Sequence, residues 1–385
     1  MPGREPEVTN DEKRRVWDAY YAGSPERVPV TLATNNRVYM LDERFNTEGL
    51  TYEETFNDPE KMLLSQLRWQ EVARTHIHRF CDQPTGLPQR WEVGVQFQNV
   101  YEQWFFGCPV QFREGQVPDT LPILNDDNRE SVFDVDIERP LERDPYRRGI
   151  EFCERMTELA KHMDFRGRPV AVIPYVPQFS DGPMTCAMSL RGGDFLLDLV
   201  ADDDYAQKLL AFVTRAAINR SRAALHHWGK KAEEVGLADD SIELLSTEMY
   251  VEKVLPHHRR FFDTLDPDRT LRKGMHLCGD VARHLPVIAE ALGLKSFDTG
   301  FPIDFARVRK DLGPDVEILG GVEVGLLMAG TPEGVYERTR EILTSGILDG
   351  KKFILREANN LPPKTPEDNL AAMYRAALDL GTYEK

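Results

Sequence analysis

The sequence has none of the features that mark membrane, fibrous or disulfide-stabilised proteins. No stretch approaches the roughly 20 consecutive apolar residues that span a bilayer, and the polar residues 1–6 contain no apolar signal core. Internal repeats and low-complexity runs are absent as well. Cysteine is scarce, with five residues scattered along 385 positions, and an odd, dispersed set is not a disulfide framework. We therefore expect a cytoplasmic protein, in which a cysteine with a special role is a ligand or a nucleophile.

Positive charge is also in short supply. The chain carries 64 acidic residues against 48 lysines and arginines, which gives a net charge of −16, and it has no basic stripe. Nucleic acids and membrane surfaces are therefore not expected partners. The hydrophobic fraction of 41% is ordinary for a globular protein and is enough to build a large core.

Short apolar runs alternate along the chain with segments of helical periodicity, a pattern that predicts βα units. Eight such runs favour an α/β fold of the (β/α)8 TIM-barrel type, which often forms one domain of this length, so we expect a single domain over residues 1–385. The predicted strands are Val28–Leu32, Thr75–Phe80, Val170–Val176, Val235–Ala238, Leu271–Leu277, Leu294–Phe297, Val316–Leu319 and Phe353–Leu355. The predicted helices are Asp204–His227, Val281–Leu292, Thr331–Ser345 and most of Asp144–Met163.

An aromatic segment interrupts this pattern between the second and third predicted strands. Residues Trp91–Phe112 alternate in polarity in a way that is typical of a β-ribbon. We therefore expect residues 88–138 to form an insertion that covers part of the barrel mouth. The aromatic side chains would serve equally well in a homodimer contact or in a satellite core, and the sequence does not separate these two alternatives.

A barrel places its chemistry at the carboxyl ends of the strands and in the loops that follow them. Nearly every predicted strand in this chain ends in polar or ionisable residues. Some of them will only cap the next helix, but so many on one face favour an active site. In chain order they are Asn36, Arg37, Asp82, Ser180, Asp181, Asp239, Asp240, His276, Cys278, Asp298, Glu323, Arg356, Glu357 and Asn359.

His276 and Cys278 lie two residues apart at the end of the fifth predicted strand. The period-two alternation of a strand directs both side chains to the same face. Imidazole and thiolate are preferred zinc ligands, and a third ligand from another strand would complete an open site. The alternative is a core histidine bonded to a backbone carbonyl beside an inert cysteine.

The segment His276-Leu277-Cys278-Gly279-Asp280 resembles the His-x-Cys-Gly zinc segment of the uroporphyrinogen decarboxylase-like superfamily, in its methyltransferase branch. Further segments match that family in the same order, and spaced matches of this kind are more specific than any single motif. Together they cover roughly residues 170–380. They are Gly182-Pro183-Met184-Thr185, Ala238-Asp239-Asp240, Gly320-Gly321-Val322-Glu323, Ala329-Gly330-Thr331-Pro332-Glu333 and Leu361-Pro362-Pro363-Lys364-Thr365-Pro366.

Two departures refine this resemblance. Uroporphyrinogen decarboxylases carry an Arg-Gln-Ala-Gly-Arg segment after the first strand, where this chain has a single arginine, Arg37, and they lack the His-x-Cys pair; both points favour the methyltransferase branch. The family's third zinc ligand, a cysteine before Pro-x-Thr-Pro, corresponds to Asn359, and an amide is a poor zinc ligand. Glu357 or Glu323 could supply a carboxylate in its place. The alternative is that Glu357 pairs with Arg356 or Arg37 and that no metal binds.

The resemblance implies transfer of a methyl group from a small methylated substrate to a corrinoid carried by a partner protein, or to a thiol. Zinc would assist by polarising the substrate, and the absence of a cysteine at position 359 suggests a harder site suited to an O-methyl donor. Asp82, Asp240 and Asp298 are the acid/base candidates. The substrate-binding candidates are Asn36, Arg37, Tyr175, Asp239, Arg356 and Asn359.

Two other functions are compatible with the same residues. One is decarboxylation of a small carboxylate by Asp82 and Arg37 without a metal. The other is a barrel that binds a corrinoid protein or a small ligand without catalysis, which the many converging ionisable groups disfavour.

Overall fold

A computed structural model describes residues 8–176 and 179–383. Its strands are β1 Trp91–Val93, β2 Val110–Gln111, β3 Asp119–Thr120, β4 Asp164–Phe165, β5 Arg168–Val172, β6 Phe179–Asp181, β7 Glu234–Ala238, β8 Arg272–Leu277, β9 Ser296–Thr299, β10 Glu317–Glu323 and β11 Phe353–Ala358. Its α-helices are α1 Asn10–Tyr21, α2 Arg37–Met40, α3 Tyr52–Asn57, α4 Pro59–Val72, α5 Tyr101–Phe105, α6 Tyr146–Ala160, α7 Pro183–Arg191, α8 Asp194–Ala201, α9 Asp203–His227, α10 Thr247–Met249, α11 Leu255–Leu265, α12 Leu285–Leu292, α13 Phe305–Leu312, α14 Val324–Ala329, α15 Pro332–Leu343 and α16 Glu367–Leu380.

Six parallel strands form the central sheet, in the order β11-β10-β9-β8-β7-β6. Helices connect consecutive strands of this sheet, as parallel pairing requires, because the chain must return to the same edge before each new strand. The last strand, β11, is buried along its whole length. The carboxyl ends of all six strands therefore meet at one edge, where the polar residues that follow them come together.

The parallel arrangement continues beyond β11 through the first predicted strand. Val30 bridges Leu355 in parallel orientation, and the amide of Leu355 donates to the carbonyl of Pro29 at 2.9 Å. On the other side, the amide of Asp82 donates to the carbonyl of Val30 at 2.8 Å. The α/β class and its parallel sheet are confirmed, while the closed eight-stranded barrel stays a prediction, since the residues that the structure describes show no ladder from Asp82 to β6.

Two of the predicted strands were placed wrongly. Residues 75–80 continue α4 as a π-helix, Ala73–Ile77, and a 3-10 helix, His78–Phe80, so the chain becomes extended only at Cys81. The third predicted strand, 170–176, overlaps β5, which pairs with β1 and β4 in a separate three-stranded sheet. Short apolar runs fit a strand or one face of a helix equally well, which explains the first error.

The aromatic segment is not one continuous β-ribbon. β1 at its start pairs in parallel with β5, α5 occupies its middle, and the two-residue β2 at its end pairs antiparallel with β3. Phe97 packs edge-on against Trp104 with ring centroids 5.3 Å apart, and against Phe56 at 5.1 Å. Phe97, Phe105 and Phe106 thus belong to the same hydrophobic core as the sheet residues and form no separate satellite core, while a homodimer contact stays a prediction.

The main helix predictions are confirmed. The predicted helix 204–227 is α9, and the predicted helix 331–345 is α15, where the Thr331 hydroxyl accepts a hydrogen bond from the amide of Gly334 at 3.2 Å. An N-terminal cap of this kind satisfies an amide that has no partner within the helix. The predicted helix 281–292 is shorter than expected and begins at Leu285. None of the described helices has the length and apolar character needed to cross a membrane.

A buried ion pair clamps the ends of the chain to the sheet. The guanidinium of Arg27 donates to both oxygens of Asp82 at 2.8 and 2.6 Å. The same carboxylate accepts from the amide of Val30 at 2.8 Å and from the hydroxyl of Tyr374 on α16 at 2.8 Å. The side chain of Asp82 is fully buried. The structure therefore gives this predicted acid/base residue a set of structural partners that occupies both of its oxygens.

We predict that Asp82→Asn destabilises the fold. The change leaves the Arg27 guanidinium buried without its counter-charge, so the free energy of unfolding should fall by about 3 kcal/mol in urea denaturation. Tyr374→Phe removes one hydrogen bond and leaves the ion pair in place, so it should cost only about 1 kcal/mol. A stable Asp82→Asn protein that has lost catalytic activity would instead support the acid/base role.

Candidate metal centre

Three neighbouring strands deliver the residues of the candidate site. In the central sheet Ala238 of β7 is in register with His276 of β8, and His276 is in register with Asp298 of β9. Residues in register on parallel strands present their side chains on the same face. Asp240 follows β7 and Cys278 follows β8, so both lie at the same edge. Arg356 and Asn359 come from the end of β11. We call Asp240, His276, Cys278, Asp298, Arg356 and Asn359 the strand-end cluster.

Asp240, His276 and Cys278 bring three possible metal-ligand atoms together. The Cys278 sulfur lies 3.3 Å from His276 Nε2, and Asp240 Oδ1 lies 3.9 Å from the same nitrogen. The three atoms all lie within 4.8 Å of one another, and this is the one such group among the described residues. The amide of Cys278 also donates to Asp240 Oδ1 at 2.7 Å, which ties the two strand ends together.

The orientation of His276 is set from its other side. Asp298 Oδ2 lies 2.8 Å from His276 Nδ1, and Asp298 Oδ1 accepts from Arg356 at 3.1 Å. This arrangement directs Nε2 toward Cys278 and Asp240. Burial opposes a charged imidazole, but the hydrogen bonds with Asp298 and Cys278 prevail and raise the pKa of His276 to about 10. Burial raises the pKa of Asp240, although the nearby His276 counteracts it.

Asn359 contacts the cysteine sulfur as a hydrogen-bond donor. Its side-chain amide lies 3.4 Å from Cys278 Sγ, and its backbone carbonyl accepts from the Arg356 guanidinium. The residue has a φ of +84°, a left-handed conformation that asparagine tolerates better than most residues. An amide that donates to sulfur stabilises a thiolate. Asn359 therefore supports the sulfur electrostatically and does not act as a third ligand.

The absence of a side chain at Gly300 makes room for Cys278. A β-carbon on Gly300, which follows β9, would lie 2.4 Å from Cys278 Sγ and 2.6 Å from its Cα. Contacts below about 3 Å do not occur between real β-carbons and heavy atoms, so any side chain at this position would displace the cysteine. Gly300 is thus part of the site although it carries no functional group.

The two glutamates predicted as metal ligands lie outside this group. Glu323 is paired with Arg338 of α15 at 2.7 Å. Glu357 is fully buried, accepts from the amide of Ala33 at 3.0 Å and pairs with Arg356 at 3.3 Å. The structure thus supports the alternative in which Glu357 pairs with an arginine. The carboxylate beside His276 and Cys278 belongs to Asp240, which the sequence suggested only as an acid/base residue.

Asp239, predicted to bind substrate, anchors a helix instead. Its oxygens accept from the amides of Met184 and Thr185 in the first turn of α7, at 3.2 and 2.6 Å. A carboxylate at this position is favoured by the partial positive charge of a helix N-terminus. His258 also lies 2.6 Å from Asp239 Oδ2, and both side chains are completely buried. Protein groups therefore occupy both oxygens of Asp239, and its substrate-binding role stays a prediction.

The remaining predicted substrate residues lie in two other environments. Arg37 donates to the Gln98 side chain at 2.9 Å, and Gln98 in turn donates to Asn36. Tyr175 lines a cavity of about 240 Å³ together with Tyr101 and Tyr146. The hydrogen bonds and ion pairs of residues 8–176 and 179–383 connect none of these three predicted residues directly to the strand-end cluster.

A polar network beside the cluster was not found from the sequence. Glu102 of α5 accepts from Ser180 at 2.8 Å and pairs with Arg220 of α9 at 3.2 Å. The neighbouring Gln103 donates to Asp181 at 2.9 Å. Asp181 was recognisable as a strand-end residue, but Glu102 and Gln103 lie in the aromatic segment, where only three-dimensional packing brings them next to β6.

The site and fold described above define a parallel α/β protein with a candidate metal centre at the carboxyl ends of its strands. Residues 92–380 match the family model described as uroporphyrinogen decarboxylase (URO-D). Because this match spans more than half of the chain, the chain belongs to the URO-D family, which confirms the resemblance seen in its motifs.

Two curated relatives bear names of methyltransferases. Over 222 residues the chain is 33% identical to methylated-thiol–coenzyme M methyltransferase of Methanosarcina mazei, an alignment that covers 55% of each protein. Over 199 residues it is 23% identical to methylcobamide:CoM methyltransferase MtbA of Methanosarcina acetivorans, covering 51% of this chain and 56% of that protein. The alignments thus span about half the length of these relatives.

A solved structure described as a methyltransferase from Methanosarcina mazei shares the fold. It aligns with 97% of this chain and 99% of its own, with a TM-score of 0.64 and 19% sequence identity. At this identity the similarity establishes a common fold and nothing further.

We predict that the buried Glu357 makes the free energy of unfolding depend on pH. Burial, which Arg356 only partly offsets, raises the pKa of Glu357 from 4.5 to about 7. Between pH 4.5 and about 7 the folded protein keeps this proton whereas the unfolded chain has lost it. The free energy of unfolding therefore falls as the pH rises through this range. From the lower to the higher of these two pKa values, the free energy of unfolding of the wild type should fall by about 3 kcal/mol more than that of Glu357→Gln. A constant difference between the two proteins, measured by urea denaturation at several pH values, would contradict this assignment.

Proposed function

We propose that this protein is a methyltransferase that moves a methyl group from a small methylated substrate to a corrinoid on a partner protein, or to a thiol. The observation that carries the proposal is the convergence of Asp240, His276 and Cys278 at the edge of a URO-D-type fold. The names of the matched relatives, both methyltransferases acting with coenzyme M, support the same class of reaction. We further propose that the parallel strands close into an eight-stranded barrel around this site.

The three residues fit a zinc ion by their chemistry. Carboxylate oxygen, imidazole nitrogen and thiolate sulfur are all accepted zinc ligands, and three protein ligands leave a fourth position for substrate. Asp298 hydrogen-bonds the far nitrogen of His276, as an outer carboxylate does for a metal-bound histidine. Asp240, His276 and Cys278 would hold the ion, and zinc would supply Lewis-acid polarisation of the heteroatom that carries or receives the methyl group.

The residues around the donors have separable roles in this proposal. Arg356 holds Asp298, and Asp298 fixes the ring of His276, so the two act by positioning. Asn359 donates to the cysteine sulfur and keeps that position from contributing a second thiolate. A site with one carboxylate and one thiolate is harder than a site with two thiolates, and harder sites favour oxygen ligands. We therefore propose an O-methyl compound as the donor.

Decarboxylation without a metal has less support. It would need Asp82 and Arg37 to meet substrate, but both oxygens of Asp82 are occupied by Arg27, Val30 and Tyr374. The Arg37 guanidinium is engaged with Gln98. Neither residue contacts the strand-end cluster through any hydrogen bond between described residues.

We predict that the purified protein binds about one zinc ion per chain, since three ligands define a single open site. Cys278→Ser and His276→Ala should abolish binding, and Asp298→Asn should weaken it about 10- to 100-fold by releasing the imidazole. Elemental analysis and competition with a chelating dye measure these effects.

The matched control for this experiment is Glu323→Gln, which alters a carboxylate already paired with Arg338 and should leave zinc binding unchanged. Equal zinc content in the wild type, Cys278→Ser and His276→Ala, or no zinc in any of them, would refute the metal centre. Zinc loss in Glu323→Gln would move the third ligand from Asp240 to Glu323.

We predict that Gly300→Ala impairs the metal centre specifically. The added methyl group would displace Cys278, and misplacing one ligand should lower zinc affinity at least about tenfold while the circular dichroism spectrum stays that of a folded protein. Gly325→Ala is the control, because a β-carbon there meets nothing within 4 Å. Normal zinc affinity in Gly300→Ala would show that Cys278 is not a ligand.

A further inference from the structure

Asp181 differs from most acidic residues at this end of the sheet. Five of them have a cationic or histidine partner: Asp298 and Glu357 have Arg356, Glu102 has Arg220, Asp239 has His258 and Asp240 faces His276. Glu243 instead accepts from the backbone amide of Asp280. Asp181 has the neutral amide of Gln103, which donates to its Oδ2 at 2.9 Å. No lysine, arginine or histidine nitrogen in the described part of the chain forms an ion pair with it.

The surroundings of Asp181 disfavour a negative charge. Glu102 of α5 lies on one side, and Asp239 and Asp240 follow the adjacent strand on the other. The buried Cys186 thiol is another titratable neighbour, and the Arg220 guanidinium near it is already paired with Glu102. Burial and the Glu102 carboxylate raise the pKa of Asp181 to about 8, although the hydrogen bond from Gln103 counteracts them.

The register of the sheet places Asp181 on the same face as the candidate metal centre. Asp181 of β6 is in register with Ala238 of β7, and Ala238 with His276 of β8. All three side chains therefore share one face, and Asp181 and His276 lie two strands apart, or about 9–10 Å between their backbones. The side chain between them on this face, Ala238, is only a methyl group. A substrate heteroatom in that space would have the metal ligands on one side and Asp181 on the other.

From this placement we infer that Asp181 is a catalytic residue: it holds a proton and donates it to the heteroatom that the methyl group leaves. The inference rests on the proposed function. In the step, the O–CH3 bond breaks and its electron pair stays on oxygen, while the methyl carbon bonds to the cobalt of a reduced Co(I) corrinoid, which becomes formally Co(III). The proton of Asp181 passes to the oxygen, which yields the alcohol or phenol. Water then reprotonates the carboxylate.

A methyl donor whose leaving group needs no proton distinguishes proton donation by Asp181 from a purely structural role. An ether oxygen leaves poorly as an anion, whereas a methyl sulfonium releases a neutral thioether. With free cob(I)alamin as acceptor, Asp181→Asn should transfer methyl from an aryl methyl ether at least about 100-fold more slowly, but from a trimethylsulfonium ion less than about threefold more slowly. Asp181→Glu keeps a carboxyl group and should recover part of the ether rate. Equal losses with both donors would overturn the inference.

Infrared spectroscopy gives a readout that does not depend on turnover. The wild type, both as isolated and loaded with zinc, should show at neutral pH a carbonyl band of a protonated carboxylic acid that Asp181→Asn lacks. The control Asp204→Asn makes the same change at the exposed start of α9 and should keep both the band and both rates. Absence of the Asp181 band from the zinc-loaded protein would overturn the inference. If the wild type used neither donor while the band was present, the proposed function would fail, and with it the donor role.

Discussion

The hydrogen bond between Asp298 and His276 is the contact on which the candidate site depends. It joins two adjacent strands in register, and it takes the imidazole nitrogen that faces away from Cys278. The other nitrogen is thereby fixed at 3.3 Å from the sulfur. Arg356 holds the opposite oxygen of Asp298 and the backbone of Asn359, whose amide donates to the same sulfur. Three strands thus position one pair of donor atoms, and a rotated His276 ring would separate the pair.

The acidic side chains that follow the strands divide into groups with different physical roles. Asp82 and Asp239 are completely buried and fully hydrogen-bonded, so they stabilise the fold by joining the chain ends to the sheet and the start of α7 to β7. Asp240 and Asp298 are partly exposed at the carboxyl edge of the sheet, next to His276. Burial without a partner is costly for a carboxylate, and the two buried acids are accordingly paired. Of the two exposed acids, Asp298 is held by His276 and Arg356, so Asp240 is the one placed to meet a ligand.

The proposed cation site and the proposed proton donor depend on one feature, the concentration of carboxylates at this edge of the sheet. The carboxylates of Asp240 and Asp298 beside His276 would favour a divalent cation at the proposed site. The same field opposes ionisation of a further carboxyl group nearby, which is the situation of Asp181. Asp298 differs from Asp181 in having Arg356 and His276 as partners, and this difference arises from position in the sheet and not from residue type.

The sequence by itself determined whatever depends on local periodicity. It placed His276 and Cys278 on one face at the end of a strand, because alternation in a strand is a property of neighbouring residues, and it located α9 and α15 from their amphipathic repeats and caps. Tertiary structure alone decided which carboxylate joins that pair. Asp240, Glu323 and Glu357 all lie at or just after strand ends, and only strand order and register bring Asp240 to His276 while Arg338 and Arg356 engage the other two. The same holds for residues 75–80 and for the aromatic segment, where short apolar patterns fit both helix and strand and long-range packing makes the choice.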